Sequence, residues 1–205
     1  MLPGPTIIKK CAECSSLILE ETLMSGNTFG ATYWSDGKCE ASMLPDQPLF
    51  VKCPHCQTSL WIDELEEIGE AECYSEDELY NDAKSYNTLS LKDYFIELIR
   101  GNHDLEKEQY LRIRAWWAGN DQRRGIDDKV QSLSEEEKEN LDALYNILDI
   151  QDENDRIMMA EIKRELGEFN EAESIIKKTY SSEFEPAVSI IKELIKKKTS
   201  LVSKL

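Results

Sequence analysis

Two cysteine pairs, Cys11-Ala12-Glu13-Cys14 and Cys53-Pro54-His55-Cys56, are the residues of this chain best suited to chemistry. Two residues between cysteines let a tight turn aim both sulfurs at one ion, with Zn–S near ~2.3 Å. Two such pairs make a cage of four thiolates. Soft thiolates select zinc or iron over magnesium or calcium. A cage closed by Cys11, Cys14, Cys53 and Cys56 leaves no position for water, so its metal is structural and no catalytic residue is assigned. Zn2+ is the expected ion and iron the alternative.

Other uses of the cysteines fit less well. Cys53-Pro54-His55-Cys56 matches the redox motif of thiol oxidases with a thioredoxin fold, where it opens a helix that lowers the first thiol's pKa. Here Gln57-Thr58-Ser59-Leu60-Trp61-Ile62 follows, which is not a helical pattern. Met1-Leu2-Pro3-Gly4-Pro5 carries no apolar core of a signal peptide. The expected compartment is therefore the cytoplasm, where thiols stay reduced and paired cysteines read as metal sites. Cys39 and Cys73 are left over as free thiols, and His55 as a surface residue of its turn.

The elements that must position the pairs are strands. Leu17–Met24 and Thr28–Trp34 are strand-like, with Ser25-Gly26-Asn27 as the turn between them. Ser35-Asp36-Gly37-Lys38 is a second turn. Leu49–Lys52 leads into the second pair and Ser59–Ile62 leads out. Strand, knuckle and strand resemble a zinc ribbon over residues 6–70. The loop between the pairs, residues 15–52, is longer than the roughly 15–20 residues of a simple ribbon, so this one carries an insertion. Asp63–Glu70 reads as a short acidic helix, and Ser75–Tyr80 as a weak helix start inside a poorly packed connector.

Helical signals begin after it. Ser90-Leu91-Lys92-Asp93 resembles a capping box, and Gly101 ends the helix it opens. Asp104 caps a second helix, stopped at Gly119-Asn120. Ser134-Glu135-Glu136-Glu137 caps a third, with Leu141, Leu144, Tyr145 and Leu148 on one face. A fourth starts near Asp152, buries Ile157, Met158, Ile162 and Leu166, and stops at Gly167. Asn170-Glu171-Ala172-Glu173 caps a fifth. Pro186 suits the first turn of a sixth, whose Lys196-Lys197-Lys198 complement the dipole. The last few residues fray.

Leu166-Gly167-Glu168-Phe169-Asn170-Glu171-Ala172 resembles the centre of a tetratricopeptide repeat, over about 152–186. The resemblance implies that Gly lets the chain turn, Phe packs between two helices and Ala permits their close approach. No second copy lies one repeat length away. The whole chain resembles small bacterial cytoplasmic proteins that join a zinc ribbon to such helices, which implies an architecture and no activity. The expected fold is α+β: an N-terminal β zinc ribbon at 1–70, a connector at 71–89 and an α-helical, tetratricopeptide-like array at 90–205.

Charge and motif content narrow the function. The net charge is −17, spread along the chain. Zinc ribbons that bind nucleic acid use basic surfaces, so an acidic ribbon argues against that ligand. A basic protein partner fits the charge better. No apolar run approaches the ~18 residues of a membrane span. No phosphate-binding loop, dinucleotide fingerprint, nucleophile elbow or zinc-protease motif occurs. His103 has no partner beyond its neighbour Asp104. Glu161-Ile162-Lys163 ends like some metal nucleases, but the two side chains diverge on a helix. One stretch is unusual: Arg112, Arg114, Arg123 and Arg124 surround Trp116 and Trp117. Adjacent helical residues point about 100° apart, so both indoles cannot enter one narrow stripe. Arg112, Trp116, Trp117, Arg123 and Arg124 are thus the candidate partner surface, since Trp and Arg are enriched at interface hot spots. The function expected is a zinc-stabilised, non-enzymatic protein-interaction module. Its alternatives are an acidic inhibitor or immunity-type protein that masks a basic partner, and a thiol redox protein or other enzyme.

Overall fold

The computed structural model describes residues 1–71, 81–125 and 132–205. Eight strands precede six helices among them: β1 (Leu2–Lys10), β2 (Leu17–Ser25), β3 (Thr32–Tyr33), β4 (Cys39–Glu40), β5 (Phe50–Lys52), β6 (Ser59–Trp61), β7 (Glu66–Ala71) and β8 (Lys84–Ser85), then α1 (Leu91–Arg100), α2 (Leu105–Asp121), α3 (Glu135–Ile147), α4 (Glu153–Glu165), α5 (Phe169–Ile176) and α6 (Glu185–Lys197). The fold is mixed α+β. The chain divides into two compact units, Met1–Ala31 with Glu40–Asp93, and Thr32–Cys39 with Tyr94–Leu205. No helix among the described residues is long and apolar enough to cross a membrane.

The first unit is built on a sheet of order β7-β1-β2-β8, β1 lying antiparallel to both its neighbours. Pro3 and Pro5 argue against a strand, since neither can donate to a ladder. The strand accommodates them with register shifts between Leu2 and Pro3 and between Pro3 and Thr6. Gly4 permits the close approach there: a Cβ would fall 2.3 Å from Thr22 Oγ1, and the Thr22 hydroxyl donates to the Pro5 carbonyl at 2.6 Å.

The acidic run expected as a helix at Asp63–Glu70 is instead a 3-10 turn, Ile62–Glu64, followed by β7. Its carboxylates face the lysines of β1. Lys10 Nζ lies 3.2 Å from Glu66, and Lys9 Nζ lies 3.8 Å from Glu67 and 3.6 Å from Glu20 on β2. The exposed Lys10–Glu66 pair adds little stability by itself, but together with the buried Lys9 it offsets the repulsion that a row of glutamates places on one strand. The strand expected over Thr28–Trp34 shortens to β3, because Asn27 Oδ1 accepts from Phe29 N and turns the chain, leaving Phe29 90% exposed. The helix start at Ser75–Tyr80 lies outside the described residues.

The second unit has one apolar core drawn from α2 to α6, with Leu144, Ala160, Ile162, Ala172, Val188 and Ile191 fully buried. Its helices start where side-chain oxygens take orphan amides. Asp104 accepts from Lys107 N, Asp152 from Asp155 N, and Ser134 with Glu137 forms a full capping box. Two expected boundaries move. Gly119 does not stop α2; it is buried inside it, where a Cβ would meet Glu137 Oε1 at 2.3 Å. Asn170–Glu173 does not cap α5, which begins at Phe169 with Glu168 as an N-cap that makes no side-chain bond. Gly167, at φ 80°, supplies the turn between α4 and α5.

The tail expected to fray is tied down. The fully buried Arg164 guanidinium donates to the carbonyls of Thr199 and, at 3.0 Å, Leu201. Ser35 N donates to Ser203 O at 2.8 Å, Ser203 N returns a bond to Ser35 Oγ, and Leu205 N donates to Tyr33 O. These bonds satisfy backbone groups that a frayed end leaves to water.

Candidate metal centre

Each cysteine pair lies in a turn at a strand end, and the two turns are built alike. In the first, Cys11 N donates to Ser16 O at 2.9 Å and Ser15 N to Cys11 O at 3.0 Å. In the second, Cys53 N donates to Thr58 O at 2.9 Å and Gln57 N to Cys53 O at 3.1 Å. Ser15 and Gln57, each following the outer cysteine, sit at φ 61° and 63°. That left-handed residue closes the turn so that two sulfurs project to one side. The second turn lies between β5 and β6, and no helix begins at it.

Strand pairing shapes each turn, β1 with β2 around the first and β5 with β6 around the second, and a shared apolar cluster brings the two together. Phe50 pairs with Trp61 across β5 and β6, their ring centroids 4.9 Å apart. Cys11 and Cys53 are buried with Ile18, Val51, Ile62 and Leu65 in the apolar cluster of this unit, while Cys14 and Cys56 are exposed. All four sulfurs lie within 4.8 Å of one another. Cys11 Sγ is 3.8 Å from Cys56 Sγ, and Cys14 Sγ is 3.8 Å from Cys53 Sγ. Four sulfurs around a metal at ~2.3 Å stand about 3.8 Å apart, so the donor set and its spacing fit a tetrahedral ion.

The thiols differ by depth. Burial pushes Cys53 up to about 12 and raises Cys11 as well. Hydrogen bonds from the Ser16 hydroxyl and amide bring Cys14 down to about 6, and those of Thr58 lower Cys56. Cys56 Sγ lies 3.4 Å from Thr58 Oγ1. A hydroxyl two residues after each outer cysteine thus favours the thiolate, the form that binds metal. Sequence reasoning passed over Ser16 and Thr58; the signal was the repeated C-x-x-C-x-[ST] pattern.

No protein-family model, curated protein or solved structure matches this chain.

The remaining candidates fall outside the cage. Cys39 is exposed at the start of β4, and His55 is exposed in its turn; neither joins the sulfur cluster. Cys73 lies outside the described residues. His103 Nε2 is 3.2 Å from the Glu97 carbonyl.

None of the five residues read as a partner surface is exposed. Trp116 is buried in the helical core, its indole N–H donating to Glu165 Oε2 at 2.9 Å. Trp117 is half-buried and donates to the Asp36 carbonyl at 3.0 Å, so the two indoles do diverge, each to an internal acceptor. Arg112 grips Glu108, Arg123 donates to Glu137 at 2.6 Å, and Arg124 pairs with Asp36 at 2.7 Å while covering the Trp34 ring. Asn120 Nδ2 links Asp36 Oδ2 to Glu165. Beside them Arg164 pairs with Glu161, both fully buried. Burying charges this way requires nearly every polar atom to be bonded, and that requirement accounts for the unusual residue content of the Arg112–Arg124 stretch. Glu161 therefore holds Arg164 and makes no pair with Lys163, whose ammonium lies near Glu168 and Glu171.

Proposed function

We propose that this chain is a zinc-stabilised protein-interaction module without catalytic activity, a zinc ribbon joined to tetratricopeptide-like helices. The observation that carries the first half is the cage of Cys11, Cys14, Cys53 and Cys56 with its 3.8 Å sulfur spacings. Four thiolates satisfy a tetrahedral ion completely, so the metal would hold two turns together and present no open position to a substrate. Zinc is preferred to iron because the site needs no redox chemistry to serve that role. The turn at Gly167, the half-buried Phe169 and the fully buried Ala172 support the repeat-like reading of α4 and α5. Packed helix pairs of this kind offer extended surfaces for other proteins.

Elemental analysis of the purified chain tests the metal: about one zinc per chain is expected, and a red iron chromophore would replace zinc by iron. Capture from a native extract on the immobilised chain tests the interaction, with a stoichiometric protein partner expected. Turnover by the purified chain, abolished by Cys53→Ser and indifferent to chelation, would overturn the reading in favour of a thiol enzyme.

A further inference from the structure

A cleft of ≈ 480 Å³ opens between α5 and α6. That volume falls within the roughly 300–1,000 Å³ of ligand sites. Its floor is apolar: Ile176 and Ile195 are buried there, and the half-buried Phe169 lines it as well. Its rim is basic. Lys177 stands on the α5 side, and Lys192, Lys196 and Lys198 on the α6 side. Glu173 is the one acid lining the cleft, and it pairs with Lys177 at 2.9 Å. Lys192, Lys196 and Lys198 make no ion pair among the described residues, whereas Lys197, on the same turn but outside the cleft, pairs with Glu193. In a chain of net charge −17, three uncompensated lysines at one apolar cleft stand against the general charge.

The backbone adds a second sign. Lys198 takes the left-handed position that closes α6, at φ 54°, with Lys198 N donating to Ile195 O and Thr199 N to Leu194 O. Helices that end this way favour glycine there, because a side chain strains the turn. Here the strained position carries a lysine that lines the cleft.

We propose that this cleft is the docking site for an acidic peptide segment that carries an aliphatic or aromatic anchor. The proposal rests on the interaction reading above and names its partner: the partner's segment is acidic, opposite in sign to the one that the chain's net charge suggests. The apolar floor takes the anchor, and burying it excludes water from the flanking ion pairs. Lys192 and Lys196 are one helical turn apart, with Cβ atoms about 5–6 Å from each other. One headgroup serves one of them; carboxylates spaced along an extended segment serve both and Lys198 as well. An anionic bilayer offers similar charge, but it would repel the rest of so acidic a chain.

Fluorescence anisotropy on the full chain tests this with a fluorescein-labelled peptide alternating glutamate with leucine and phenylalanine. Saturable binding is expected, weakened about tenfold or more by Lys192→Glu with Lys196→Glu, and unchanged by Lys178→Glu, outside the cleft. A second peptide with serine in place of leucine and phenylalanine should bind at least about tenfold less tightly. Equal binding of both peptides, or of the parent and the charge-reversed variant, overturns the site. So does co-sedimentation with phosphatidylserine vesicles that the peptide displaces. The capture experiment separates the two claims: a partner held equally by the parent and the charge-reversed variant keeps the interaction and removes the cleft, while neither partner nor peptide binding removes both. Circular dichroism of the variants should match the parent, because the substituted lysines are exposed.

Discussion

Ser15 and Gln57 hold the same left-handed backbone, at φ 61° and 63°, in two turns that otherwise share no residue type beyond the cysteines. Each closes its turn behind an outer cysteine, so the two halves of the cage are conformational copies. A β-branched residue tolerates that region poorly. Ser15→Val or Gln57→Val should weaken the site by about 1–2 kcal/mol, while glycine at either position should be neutral or favourable. Competition with a chromophoric chelator measures the effect; tighter metal binding by the valine variants would refute it.

Cys14→Ser should lose the metal and Cys39→Ser should keep it, because Cys14 Sγ is 3.8 Å from Cys53 Sγ and Cys39 lies outside the cluster. Metal content after dialysis decides this. Loss in the Cys39 variant alone would reassign the ligands.

Gly119→Ala should destabilise the helical unit by about 1–3 kcal/mol. The added methyl would strike Glu137 Oε1, which accepts from Arg123, on the carboxylate whose other oxygen, Oε2, accepts from Ser134 N in the cap of α3. Thermal unfolding followed at the helical band is the measurement. An unchanged midpoint would mean that α3 shifts freely.

Asp36→Ala should cost about 3–5 kcal/mol, as expected when one member of a buried ion pair is removed. Arg124 would keep Asp121 as its one carboxylate among the described residues, beside the Trp34 ring, and Asn120 would lose one acceptor. Denaturant titration is the test, and a loss below about 1 kcal/mol would place this pair with ordinary surface bridges.

Stability should fall as pH rises through the neutral range. Burial, with Glu161 adding repulsion, pushes Glu165 up to about 8. The folded chain therefore holds a proton that the unfolded chain has lost above ~4.3. That contribution is full below the unfolded pKa and is lost as pH climbs through about 8. Asp36 and Arg164 also bear on the group, with opposite signs. Glu137 runs the other way: burial would raise it, but Arg123 and Ser134 outweigh burial and lower it. Its contribution is lost only as pH falls below the ordinary carboxylate range, so it stays level from about pH 5 to 8. Denaturation of the parent and Glu165→Gln across that window should give a falling line and a flatter one. Parallel lines would exclude Glu165 as the source.

Each half of the cage was legible because its information is local: the C-x-x-C spacing dictates a turn whatever surrounds it, and the meeting of the two turns followed from the need of one ion for four thiolates. The caps at Asp104, Ser134 and Asp152 were legible for the same reason. Long-range features were not. Pro3 and Pro5 hide β1, whose partners Thr22 and Glu70 lie far along the chain. The acidic composition of β7 reads as helix until Lys9 and Lys10 are placed beside it. Trp117 and Arg124 look like an exposed patch because Asp36, which binds both, is far away in sequence.

The Thr32–Cys39 turn has a consequence for the order of synthesis. It leaves the ribosome well before the helices that complete its unit. Asp36 precedes Arg124 by 88 residues, a delay of roughly 4–18 s at the usual pace of translation. Through that interval a carboxylate destined for complete burial stays in water. The helical unit therefore takes in a piece of chain made long before its helices, and a fragment that begins at residue 90 would lack that piece for good.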